Sequence, residues 1–498
     1  MVPAIPPPDD NEPRPGGVPP ELEQLLRGVL GPAADEVIEA ISSGALDLDR
    51  MTGPDGRPLD LQALSRAMNL PQDPGAMASM IGHLRSLLDT GGEAVNWDLA
   101  HDVARRAAAA EGDPTVAAPE ARQVADALTV ADLWLDQVTD LPATGGPAHA
   151  WSRSEWVEHT AARWRSLTQP VATSVTAALD DVMSRRLGEL GDVPGDIPGL
   201  PAGADLGAMM SRLSGLAFGM QVGTAAGTLA REVLGTTDIG LPLTDGAGAA
   251  LLPRNVAEFG AGLSVPPEEV RYFVALREVA HLRLFTHVTW LRSHLLGAVE
   301  EYARGIEIDL TTLEEAVGGI DPSDPEALQG ALASGVFAPS TTPAQEAALE
   351  RLETALALVE GWVDVVTAAA AAPHLPHTEA LRETMRRRRA AGGPAEDTFA
   401  QLVGLELRPR RSREAARLWE LITQERGADG RERVWEHPDL LPTAADLDDP
   451  TGWSARLSTE AEAHEDLDRV LAEILDGGGE GPAEPGGPGE PDGAGPEG

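Results

Sequence analysis

The sequence predicts a mainly α-helical protein. Three observations carry this: most segments repeat their apolar residues every three to four positions, glycine and proline punctuate those segments, and alternating β-branched runs are few. At 498 residues the chain can bury a large core. Its two ends stand apart. Residues 1–19 are rich in Pro, Asp and Gly, and 477–498 ("GGGEGPAEPGGPGEPDGAGPEG") carry no large apolar side chain. Both are expected to be disordered, because neither can offset the entropy of ordering. Between them we expect one helical body over 20–476, with an N-terminal helical part over about 20–140 and a core over about 145–455.

Composition excludes several function classes. The net charge is −42, from 38 basic and 80 acidic residues, which repels phosphate backbones and anionic bilayers. Nucleic acid and membrane are therefore not expected as partners. There is no cysteine, which removes disulfides, thiolate chemistry and iron–sulfur clusters. There is also no lysine, which removes the phosphate-binding lysine of a P-loop nucleotide site and the attachment point of pyridoxal phosphate. The start "MVPAIPPPDDNEPRPGG" has no basic segment followed by an apolar one, so no secretory leader is expected and cytoplasmic residence follows.

In chain order, Ser152 and Glu155 form a capping box that opens a helix over 152–168, with Trp156 and Trp164 on one face as core residues. Residues 213–230 are uncharged and place Gly215, Gly219, Gly223 and Gly227 four apart, a ridge for close helix–helix approach. "TTDIGLPL" and "AALLPRNVAEF", around 236–259, are the best strand signals and predict a small β element. A helix follows over 264–288, entered through "SVPPEEV" with prolines in its first turn and Glu268 and Glu269 at its positive end. Thr342 and Pro343 open another helix over 343–370. Residues 382–417 hold ten arginines against five acids, which internal carboxylates are expected to pair.

The helix over 264–288 carries the chemistry. Val270, Val274, Arg277, His281, Leu284 and Val288 form one apolar stripe, interrupted by Arg277 and His281 one turn apart. A guanidinium inside such a stripe demands a buried acid. Glu360 follows Leu356 by four and precedes Val363 by three, at the edge of the apolar face of 343–370. We therefore expect Arg277, His281 and Glu360 to converge. Glu278 lies about 60° round the helix from His281, from the 100° step per residue. "REVAH" is one letter from the zinc-binding HExxH, in which two histidines hold the metal and the Glu activates its water. Arg277 stands where the first histidine would be, and a guanidinium has no lone pair to give a metal. Glu300 and Glu301 occupy the position of a third ligand on the following helix.

Around these residues the chain resembles the zincin-like hydrolases of actinobacteria, often called zinc-dependent metalloproteases. The resemblance runs over roughly 145–455 and rests on "SRSEWVEHTAARWRSLTQPVA", "GTTDIGLPL", "LLPRNVAEFGAGLSVPPEEVRYFVALREVAHLRLFTHVTWLRSHL", "VEGWVDVV", "LVGLELRPRRSREAARLW" and "WEHPDLLPTAADLDDP". It implies a helical zincin-like fold, zinc as cofactor and a peptide or amide substrate. Carried over by position, it implies Glu278 as general base, His281 and Glu360 as metal ligands, and Arg277 and Trp362 lining the site; Glu300 is expected to line it from its spacing alone. Arg277 then replaces the family's first histidine, and Trp362 the histidine of an E-G-H segment. Two readings stay open. One is a zinc hydrolase with a degenerate site; the other is a non-catalytic binding or scaffold protein in which an Arg277–Glu360 pair replaces the metal.

Overall fold

The computed structural model describes residues 95–189, 206–246, 248–304, 342–392, 400, 411–453, 455–456 and 469. The elements in order are α1 (Trp97–Ala108), α2 (Ala118–Leu135), β1 (Ala148–Ala150), α3 (Arg153–Glu189), α4 (Leu206–Ala230), β2 (Ala249–Leu251), α5 (Pro253–Gly260), α6 (Pro267–His287), α7 (Leu291–Arg304), α8 (Pro343–Ala371), α9 (Thr378–Ala391), α10 (Ser412–Glu432) and α11 (Ala444–Asp448), with two short 3₁₀ turns between α10 and α11. The helical class is as the periodicity predicts. The two ends expected to be disordered, and residues 20–94, lie outside the described residues.

Local chemistry explains where the helices begin. Ser152 and Glu155 exchange the hydrogen bonds of a capping box ahead of α3, and Thr342 and Gln345 do the same ahead of α8. The glycine ridge of α4 lies on α1. A methyl group at Gly219 would come within 2.9 Å of the Asn96 carbonyl oxygen, and methyls at Gly223 and Gly227 would collide with the carbonyls of Ala100 and Ala104. Glycine lets the two backbones touch. Trp156 and Trp164 both lie in the core, their rings 6.3 Å apart.

The β element is smaller than the strand signals imply. β1 pairs in parallel with β2, Ala148 facing Ala249 and Ala150 facing Leu251. β2 falls within "AALLPRNVAEF" as expected. The stretch 236–243, expected as a strand, instead forms bends and turns. Gly240 has φ +79° and Pro242 lacks an amide proton, so neither suits a ladder. β1 is three residues long and shows no apolar alternation, which is why periodicity missed it.

α6 runs through the centre and packs on α2, α5, α8, α9 and β2. Its sequence predicts one buried stripe, yet every residue from Phe273 to Phe285 is buried. Likewise every residue of α8 from Ala355 to Thr367 is buried, including Glu360, expected only at the edge of the apolar face. α8 is long and apolar enough to cross a membrane, but 83% of its apolar window is covered by the rest of the protein. Gly361 allows α10 to approach α8, since a methyl there would stand 2.7 Å from the Ala415 side chain.

Candidate functional site

α6 presents Arg277 and His281 from successive turns, and α8 brings Glu360 to meet them. Arg277 Nη2 donates to Glu360 Oε2 at 2.6 Å, and His281 Nε2 lies 3.2 Å from Glu360 Oε1. The other ring nitrogen, Nδ1, sits 2.9 Å from the Arg277 carbonyl oxygen. An acceptor there requires Nδ1 to carry a proton, which fixes the ring orientation. A fourth member comes from α9: Arg389 Nη2 stands 3.3 Å from Glu360 Oε1. None of the four residues is more than 6% exposed. Burial by itself would push the Glu360 carboxyl up, but the cations of Arg389 and Arg277, with the hydrogen bond to His281, hold it well below the usual carboxylate range.

Glu278 feels the charge of His281 but directs its hydrogen bonds elsewhere. It accepts from the Thr236 amide at 2.9 Å, the Thr237 amide at 3.2 Å, the Thr237 hydroxyl at 2.7 Å and the Thr236 hydroxyl. Gly235 makes room for it, because a methyl there would collide with the carboxylate. Burial pushes the Glu278 carboxyl up, and the neutral donors of Thr236 and Thr237 only partly offset it.

The remaining site candidates are placed elsewhere. Glu300 is partly exposed and pairs with Arg304, one turn on in α7, at 2.7 Å. Trp362 donates from Nε1 to Glu432 at 2.8 Å, under the Arg431 guanidinium. Two residues along a helix is about 200° of rotation, so a residue beside Glu360 on one face cannot share that face from position 362. Neither Glu300 nor Trp362 lines the cluster, which corrects the expectation for both.

Three contributors escaped sequence reasoning: Arg389, Thr236 and Thr237. Arg389 is one of four consecutive arginines, and only its spacing from the buried Leu381 and Met385, at four-residue steps, marks it as inward-facing. Thr236 and Thr237 stand in the segment expected as a strand. The other described arginines of the basic cluster largely pair within the chain, as expected. Arg382 and Arg386 share Asp364, Arg388 meets Asp238 at 2.9 Å, and Arg411 meets Asp448.

The sequence profile of zincin-like metallopeptidases matches residues 95–454. The chain belongs to the zincin-like metallopeptidase family. A crystal structure from Chloroflexus aurantiacus, described as "a putative hydrolase with a novel fold", superposes on this zincin-like chain with a TM-score of 0.51 at 20% identity. The match covers 73% of this chain and 99% of that one, and it shows a shared fold. No curated protein matches.

The family implies zinc, so the fit of a zincin-type ion can be tested on the residues present. Such a site takes three protein donors with free lone pairs. Here His281 and Glu360 supply two, while the guanidiniums of Arg277 and Arg389 crowd the same carboxylate. Glu278 is engaged by Thr236 and Thr237. Among the described residues no group of three or more His, Asp or Glu side chains is placed to hold a metal. The donor set does not fit zinc.

Proposed function

We propose that this zincin-fold chain is a non-catalytic binding or scaffold protein, in which a buried Arg277–Glu360 ion pair takes the structural place of the metal. One observation carries the reading: the 2.6 Å contact between Arg277 and Glu360, with side chains only 7% and 4% exposed. A fixed cation can neutralise an interior carboxylate and hold α6 against α8. It cannot polarise a carbonyl or lower the pKa of a water as a Lewis acid does. The would-be general base supports the same reading, since both oxygens of Glu278 are engaged by Thr236 and Thr237. A peptide or protein partner and cytoplasmic residence belong to this proposal.

A second reading keeps the hydrolase chemistry, and one observation favours it. His281 retains the Nδ1-to-carbonyl contact that commonly orients a metal-ligating histidine. Metal analysis of protein purified without chelator separates the two. The scaffold reading expects well under one zinc per chain; a tightly held equivalent that disappears in His281→Ala overturns it.

A further inference from the structure

No further inference is drawn: the strongest candidate, the cleft of about 260 Å³ between α2, α5 and the first turns of α6, is lined chiefly by apolar side chains, and nothing in the structure shows what covers it.

Discussion

Glu278 and Glu360 are each 3% exposed, and both belong to the buried polar centre around α6, yet their carboxyl groups are driven in opposite directions. Glu278 accepts hydrogen bonds from neutral donors, the amides and hydroxyls of Thr236 and Thr237, and the charge of His281 acts on it more weakly than they do. Glu360 is surrounded by Arg277, Arg389 and His281. Four hydrogen bonds to Glu278 do not overcome the cost of burial, whereas two guanidiniums and an imidazole around Glu360 do. Formal charge on the partners, more than the count of hydrogen bonds, decides which carboxylate is held ionised. The same contrast separates the two roles that sequence assigned to these residues. The group placed as a base is turned towards a threonine-lined turn, and the group placed as a ligand is already claimed by cations.

The largest effect should come from removing the charged member of that contrast. Glu360→Ala leaves Arg277 and Arg389 without their shared buried carboxylate, and should cost about 3–5 kcal/mol in urea denaturation. A loss under about 1 kcal/mol would mean that the two cations reach water and that the cluster is not sealed. Next comes Arg277→His, which exchanges the cation for a lone-pair donor one turn from His281. We expect it to lower stability without metal by about 2–3 kcal/mol and to create zinc binding, measured by titration with a competing chelator. A variant that folds but takes up no zinc would show that Arg389 by itself keeps Glu360 from a metal.

Smaller effects lie on the Glu278 side. Thr237→Val removes one neutral hydroxyl donor and should cost about 1–2 kcal/mol by the same denaturation assay. Glu278→Gln avoids burying a charge but turns an amide N–H towards donors from which a carboxylate oxygen now accepts, and should cost about 1–2 kcal/mol near pH 7.

The pH dependence then sharpens the contrast. Glu360 has a depressed folded pKa, so its contribution is present above the unfolded value and is lost as pH falls through the folded one. Glu278 has a raised folded pKa, so its contribution is present below the unfolded value and is lost as pH rises through the folded one. Stability measured against pH should therefore lose part of its acid limb in Glu360→Gln. In Glu278→Gln it should instead flatten above the usual carboxylate range. Identical profiles for the two variants would break the comparison.

Sequence reasoning reached some of this and missed the rest for identifiable reasons. Capping at Ser152 and Thr342 was legible because a cap is local chemistry within four residues. The glycine ridge was legible as a surface for close approach, although α1 as its partner was not. The strand expected at 236–243 failed because apolar and threonine content spoke for a strand, while Gly240 and Pro242 required turns. Glu300 fell where a ligand position on a following helix was imagined, but α7 leaves it partly exposed beside Arg304.

What the sequence by itself determined is angular. Spacing placed Arg277 and His281 on one face of α6, and the demand of a buried guanidinium for an acid, together with the apolar pattern around Glu360, pointed to the partner 83 residues away. Tertiary structure alone decided that Glu278 meets Thr236 and Thr237, and that Arg389 rather than another of four adjacent arginines reaches Glu360. Helical periodicity specifies where a side chain lies about its own axis. Which element packs there, and at what height, follows from the assembled core and cannot be read from any one segment.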